Sequence, residues 1–407
     1  MAEPTLNFSN LDPNSFRAAA REWLESNCPP SMRTPSRDDE VVWGGTKGTF
    51  KSPEAKIWLE RMAALGWTVP TWPRVYGGGG LSGEQALILD EEMRHLGCRA
   101  PLYGHGLSML GPVLLDVGRE MQKGPHLPRI ARGEIRWAQG YSEPEAGSDL
   151  ANVRMRAELK GDHYLVNGHK IWTSYADYCD WIFCLVRVDP AASKHEGIGF
   201  LLIDLASPGI RVAPIRLING GSQFCEVFFE DVRVPAENLV GEPNQGWSIA
   251  KKLLEYERKS LEGFSDRHRQ RVGLSLRDIA RERVGHADGR LSDAVLRDNI
   301  AAYEIDDAAF QLTRRRLAEE TAANGQPGPV SAMMKYYAAE LNKRRLELAV
   351  AAAGSYAFGW EGEGEGFSAL ELRLTRDWLR SKANSIEGGS AEINLNIIAK
   401  RVLGLPD

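Results

Sequence analysis

The chain has 407 residues, 43% hydrophobic and 26% charged, with 50 Lys+Arg against 55 Asp+Glu and a formal net charge of −5. Those proportions describe a soluble globular protein of about two to three domains, long enough to bury a core without disulfides or metals. The pI of about 6.0 lacks the basic excess of a nucleic-acid protein, and no apolar run approaches the roughly 20 residues that span a bilayer. The five cysteines, Cys28, Cys98, Cys179, Cys184 and Cys225, are odd in number and contain no Cys-x-x-Cys pair. A reducing compartment, with the thiols serving as small hydrophobes, follows. Met1-Ala2-Glu3-Pro4 opens no apolar run, so no signal peptide is expected.

The first part, to about residue 135, reads as helices. Ser52-Pro53 starts one, with a capping serine and a proline at the first helical position. Trp58, Met62 and Leu65 follow at helical spacing, and Gly66 stands where a C-terminal cap belongs. Ser82 to Leu96 is a second helix, after the loop Gly77-Gly78-Gly79-Gly80. From about 136 to 242 short strands replace helices. Met155, Ala157 and Leu159 alternate with polar residues, Lys160-Gly161-Asp162 turns, and Tyr164 and Val166 resume the alternation. Asn167-Gly168 predicts a tight hairpin turn. Trp181 to Val186, Gly199 to Ile203 and Cys225 to Phe229 are further strands of a sandwich or barrel. From Gly246 the chain turns helical again, over Trp247 to Gly263, Asp298 to Ala323, Ser331 to Ala353 and Ala391 to Val402. Glu361 to Gly366 is a solvated loop. The fold class is α+β, with divisions at 1–135, 136–242 and 243–407.

Metal and nucleotide signatures are missing: no His-Glu-x-x-His, Walker loop, Gly-x-Ser-x-Gly elbow or strand-linked G-x-G-x-x-G occurs. His163 and His169 read as surface residues. Gly77 to Gly80 reads as a connector, and Arg267, His268, Arg269 and Arg271 as either a solvated face or a phosphate contact. The helix after Gly246 carries the sharpest clue. At about 100° per residue, Trp247, Ala250, Leu253, Leu254 and Leu261 share an arc of about 120°, and Glu257 falls inside it. Lys251, Lys252, Glu255, Lys259 and Glu262 lie outside. A carboxylate on the buried side needs a partner or a task. The periodicity alone leaves both open: a salt bridge, or a general base whose pKa is raised by desolvation.

Four motifs in order resemble those of the acyl-CoA dehydrogenases. Tyr141-Ser-Glu-Pro-Glu-Ala-Gly-Ser-Asp149 is similar to the family's Thr-Glu-Pro-x-Ala-Gly-Ser-Asp. Asn167-Gly-His-Lys-Ile-Trp-Thr-Ser174 resembles its Asn-Gly-x-Lys-x-Trp. Glu226 to Pro235, with Asn238 to Glu242 and Gly246-Trp247, resembles its exit from the β domain. Ile386-Glu-Gly-Gly-Ser-Ala-Glu-Ile393, with Arg401 to Pro406, resembles its C-terminal motif.

The resemblance implies an N-terminal α-helical domain, a central β-barrel or sandwich domain and a C-terminal four-helix bundle, with FAD held between the last two and helped by a neighbouring subunit. Tyr141 and Ser142 match the strand along the isoalloxazine. Gly147 and Ser148 match the turn at FAD and at the thioester ligand's phosphates. Trp172, Thr173 and Ser174 match the residues at the flavin ring and its N5 edge. Arg281, Gly389, Ser390 and Glu392 match further cofactor contacts, and Ser148 and Arg258 substrate contacts. No metal is implied. The implied reaction is α-proton abstraction with β-hydride transfer to flavin N5, giving a trans-2-enoyl-CoA, with reoxidation by an electron-transferring flavoprotein.

The sequence departs from the family pattern at the base. Most members carry it just before Gly-Thr or Gly-Ser of the C-terminal motif, where Gly388 stands here; Glu387 lies one residue earlier. A minority, including isovaleryl-CoA dehydrogenase, use Leu-x-x-Glu-Arg on the first helix of the last domain. Leu254-Glu-Tyr-Glu-Arg258 matches that pattern, and Glu257 is its glutamate. The cross-subunit arginine followed by Phe-Gly is replaced by Ala280 to Gly285, where Arg281 or Arg283 stands in, and Ala351 to Gly354 replaces a glutamine motif. These losses resemble the branch acting on steroid side chains and other bulky acyl groups, some of them heteromers. A bacterial cytoplasmic homotetramer, or a heterotetramer with a related subunit, is expected. The alternatives are a monooxygenase or acyl-CoA oxidase of the same fold, or a non-catalytic partner subunit.

Overall fold

The computed structural model describes residues 8–36, 38–256, 275–324, 331–361 and 366–406. They fall into two compact units: the described parts of Met1–Ile215 with Ser222–Val272, and of Arg216–Gly221 with Gly273–Asp407.

The first unit opens with helices α1 (Pro13–Asn27), α2 (Pro53–Ala64), α3 (Gly83–His95), α4 (Gly111–Val117) and α5 (Glu120–Ala131). Their starts are written locally. The Ser52 side chain accepts from the Ala55 N–H, and Ser82 with Gln85 forms a reciprocal capping box. Phe16, Leu24, Trp58, Met62 and Trp67 build a core between these helices. Glu92, 1% exposed, closes its edge by pairing with Arg17 and Arg21.

Eight strands follow: β1 (Trp137–Gly140), β2 (Arg156–Lys160), β3 (His163–Ser174), β4 (Trp181–Arg187), β5 (Ile198–Asp204), β6 (Ile210–Ile215), β7 (Phe224–Pro235) and β8 (Leu239–Val240). They form one sheet in the order β6-β7-β3-β2-β4-β5-β8, with β1 added in parallel on β4. One apolar cluster joins Phe183, Leu185 and Phe200 to Leu110, Val113 and Leu127 of the helical part; a second holds Val166, Ile182, Leu201, Val227 and Val232. Helix α6, residues 246–256, places Ile249, Ala250 and Leu253 in the first cluster and leaves Lys251 and Glu255 exposed. The apolar arc read from the sequence is therefore the face that packs. Glu257, Arg258 and the basic run at 267–271 lie outside the described residues.

Asn167-Gly168 is not a hairpin turn. It lies inside the continuous β3, and the turn falls earlier, where Lys160 pairs with His163 around Gly161. At Asn167 the register with β7 shifts: Val166 pairs with Val232 and Gly168 with Phe229, so Glu230 and Asp231 bulge on β7. Asp231 takes φ 50°, and Asn167 clasps it through both amide atoms, at 3.0 and 2.9 Å. Gly168 is required by contact, since a Cβ there would lie 2.7 Å from Met155 Cα. The dipeptide thus answers a bulge on the neighbouring strand.

The second unit is helical, apart from a small hairpin of β9 (His286–Ala287) and β10 (Arg290–Leu291). Its helices are α7 (Leu276–Val284), α8 (Ala294–Asn324), α9 (Ser331–Ala353), α10 (Ala369–Ser381) and α11 (Ala391–Ile397), the last followed by a π-helical turn. Helix α9 packs against each of the other four. The helical segments read from the sequence pass over α7 and α10, although each starts with a capping box, Ser275 with Asp278 and Ser368 with Glu371. No described helix is long and apolar enough to cross a membrane.

Candidate active site

Three of the four sequence motifs meet in the first unit. The Ile171 N–H donates to Ser142 O at 2.9 Å, tying the first motif to the second. Below that bond, Lys170 Nζ donates to Glu143 Oε1 at 2.7 Å and to Tyr141 O at 3.2 Å. Both side chains are buried, 0% and 7% exposed. Glu143 also accepts from the backbone N–H groups of Arg154 and Met155, at 2.6 and 3.0 Å. A buried ion pair of this kind is tolerated because its remaining polar atoms are hydrogen-bonded. Neither residue belongs to the set of cofactor contacts inferred from the sequence. Their signal was present, since the first motif carries the glutamate and the second the lysine, but a motif does not say that the two side chains meet.

Directly after Lys170 the ladder bulges again. Lys170 pairs with Val227 and Thr173 with Cys225, so Ile171 and Trp172 oppose Glu226 alone. The bulge turns Trp172 to φ 61°, a conformation that costs a non-glycine residue about 1–2 kcal/mol. Its indole is left 54% exposed, edge-on to Phe224 at 6.1 Å. Third-motif residues on β7 thereby flank the second motif. Strained backbone that aims an aromatic ring outward is a feature of ligand sites.

The other proposed residues in this unit cluster nearby in the chain. Tyr141 is buried and Ser142 half-buried. Thr173 is 1% exposed and its hydroxyl has no hydrogen-bond partner among the described residues, while Ser174 is half-buried. Gly147 and Ser148 are exposed in a loop, and nothing lies within 4 Å of where a Gly147 Cβ would stand. An exposed indole, an open glycine turn, a spare hydroxyl and half-buried serines fit a planar heterocycle with polar edges and a phosphate tail, which is the chemistry of FAD.

The fourth motif lies in the second unit. Gly388 and Gly389 take φ 63° and 95°, and Ser390 caps α11 by accepting from the Ile393 N–H at 3.3 Å. Glu392 is exposed, and hydrogen bonds from its own N–H and from Ser390 hold its carboxyl below the usual range. Lys335 Nζ holds the loop through Asn384 O and Gly389 O, at 2.9 and 2.6 Å. Glu387 accepts from Arg380 Nη2 at 2.6 Å and Asn384 Nδ2 at 2.5 Å. On α7, Arg283 pairs with Glu371 at 2.6 Å and lies over the Tyr356 ring at 4.2 Å, whereas Arg281 is exposed. No group of described His, Cys, Asp or Glu side chains is arranged to hold a metal ion.

The site thus gathers on β3, inside the sheet between β7 and β2. Residues 12–134, 138–232 and 244–403 match the N-terminal, middle and C-terminal domains of acyl-CoA dehydrogenase, respectively. The chain is 35% identical over 405 residues to the acyl-CoA dehydrogenase IpdE1 of Mycobacterium tuberculosis, covering 97% of this chain and 98% of that protein. Among solved structures it resembles the Tcur3481-Tcur3483 steroid ACAD, with a TM-score of 0.73, 26% identity and 100% and 99% of the two chains covered. It also resembles the ChsE4-ChsE5 complex of Mycobacterium tuberculosis, with a TM-score of 0.70, 26% identity and 97% and 98% covered. The chain belongs to the acyl-CoA dehydrogenase family.

Proposed function

We propose that this protein dehydrogenates an acyl-CoA thioester between its α and β carbons, with FAD as cofactor and a trans-2-enoyl-CoA as product. The observation that carries the cofactor assignment is the bulge at Ile171-Trp172, which holds an exposed indole beside the Ser142 segment. In this reading Trp172 covers a face of the ring system, and Ser142, Thr173 and Ser174 supply hydroxyls to its polar edge. Tyr141 lines the ring system from the same segment as Ser142, and Gly147 and Ser148 take the phosphate portion. Arg281, Gly389, Ser390 and Glu392 serve as further cofactor contacts. Arg281 is preferred over Arg283 because Arg283 is already engaged by Glu371 and Tyr356.

FAD, when bound, supplies the acceptor for the hydride that leaves the β-carbon. Glu257 removes the α-proton; its position on the apolar arc read from the sequence is one where desolvation would make a carboxylate a stronger base. Glu387 is the weaker candidate, since Arg380 and Asn384 already occupy both of its oxygens. Ser148 and Arg258 hold the CoA portion. The name of the steroid ACAD relative supports a bulky, ring-bearing acyl group. That relative and the ChsE4-ChsE5 complex support assembly with a second, related chain; a homotetramer is the other arrangement. An electron-transferring flavoprotein is the proposed oxidant and the bacterial cytoplasm the proposed location. The divisions 1–135, 136–242 and 243–407 are the proposed domains.

Glu257→Gln is the test. The variant should retain FAD and bind acyl-CoA, while anaerobic bleaching of the flavin by substrate stops. Unchanged bleaching would remove Glu257 from the mechanism. A colourless wild-type protein would remove the cofactor reading.

A further inference from the structure

Arg136, immediately before β1, is half-buried in an aromatic frame. Its guanidinium carbon lies 5.0 Å from the centroid of Trp43 and 5.4 Å from that of Tyr175. The two rings are 6.2 Å apart, and Trp43 is 6.1 Å from Tyr103. Among the described residues no carboxylate pairs with this guanidinium. The nearby acid, Asp180, is taken by the Arg136 N–H at 2.8 Å, the Thr46 N–H at 3.2 Å and the Thr46 hydroxyl. His105 beside it is held neutral, pushed down to about 4 by burial and then by the charge of Arg136.

This frame adjoins the candidate site through the backbone. Tyr175 follows Ser174, the last residue of β3, and takes φ 50°. Its N–H donates to Gln223 O at 2.9 Å, next to the Phe224 that faces Trp172. The Tyr175 ring therefore belongs to the residue just beyond the proposed cofactor hydroxyls, and Trp43 packs against it. A guanidinium is a planar fork of five donors and no acceptors. Stacking satisfies its faces and leaves its N–H edges free to donate to an oxygen acceptor.

We propose that Arg136, framed by Trp43 and Tyr175, receives a carbonyl or carboxylate oxygen on the acyl group, at the end remote from the thioester, and so selects oxygenated over plain hydrocarbon acyl-CoAs. The rings flank the carbon skeleton, and Tyr103 extends the same wall. The inference rests on the proposed acyl-CoA dehydrogenation and names the substrate feature that this activity prefers.

The test measures kcat/KM for anaerobic flavin reduction of the holoenzyme with three thioesters: 3-cyclohexylpropanoyl-CoA, its 4-oxo analogue and its 4-carboxy analogue. Wild type should favour one oxygenated thioester over the plain one by about tenfold or more, and the ketone and carboxylate arms show which oxygen is taken. Arg136→Met should collapse that ratio towards one, and Arg136→Lys should retain part of it. Equal losses on all three thioesters would overturn the proposal, because a structural role moves them together. A wild-type preference for the plain thioester would overturn it whatever the variants do, including variants that fail to fold. Wild-type protein that none of the three reduces would instead sink the dehydrogenase reading, and this inference with it.

Discussion

Lys170 Nζ and Glu143 Oε1 meet at 2.7 Å in the interior, 27 residues apart in the chain. The pair fastens the Tyr141-Ser142 segment, which follows β1, to β3, which carries Trp172. Removing one partner leaves the other buried and uncompensated, so Lys170→Met should destabilise the first unit by about 3–5 kcal/mol. The double variant Lys170→Met/Glu143→Gln should recover part of that loss, since the remaining amide is neutral. Urea unfolding of the single and double variants measures both. A single variant as stable as wild type would show that the pair contributes nothing to holding the two strands together.

Two glycines separate packing from binding. Gly168→Ala places a Cβ 2.7 Å from Met155 Cα, and overpacking against backbone costs about 1–3 kcal/mol or more. Gly147→Ala meets nothing within 4 Å, so its stability should stay within about 0.5 kcal/mol of wild type. FAD retention should nevertheless fall in Gly147→Ala if that turn approaches the cofactor. Full retention after dialysis would free the glycine from that role.

Trp172 is held at φ 61°. Trp172→Gly relieves the backbone while deleting the indole, so stability should change by no more than about 1 kcal/mol, and FAD affinity should drop by about tenfold. Flavin titration of apoprotein reads the second quantity. Undiminished affinity would make the bulge a structural device only.

His126 lies between Trp137 and Trp181, with ring centroids at 5.1 and 4.7 Å. Burial first, and then the charge of Arg129, pushes its pKa down from 6.5 to about 4. Between those two values the unfolded chain takes up a proton that the folded chain refuses. Stability therefore declines as pH falls from about 6.5 to about 4, by on the order of 3 kcal/mol from this group. His126→Phe should flatten the decline in melting temperature over that window. An unaltered slope would assign it to other groups.

The helical starts at Ser52 and Ser82, the strand segments and the packing face of α6 were legible in the sequence. Caps and periodicities are set by residues three or four positions apart, and these side chains satisfy their own neighbours. The same local logic misjudged Asn167-Gly168, whose conformation answers a bulge on β7 some 60 residues away; Asn167 and its partner Asp231 are 64 residues apart. The cysteine reading agrees with the structure at Cys179 and Cys184, whose thiols burial pushes up to about 12.

By itself, then, the sequence determined the helix, sheet and helix order, the four family motifs and the residue types proposed at the site. Only the tertiary structure decided how three of those motifs come together: a buried Lys170–Glu143 pair, a bulge that turns Trp172 outward, and Arg136 set between two rings beyond Ser174. Those features depend on distant segments satisfying one another's charges and hydrogen bonds, and no local pattern encodes such pairings.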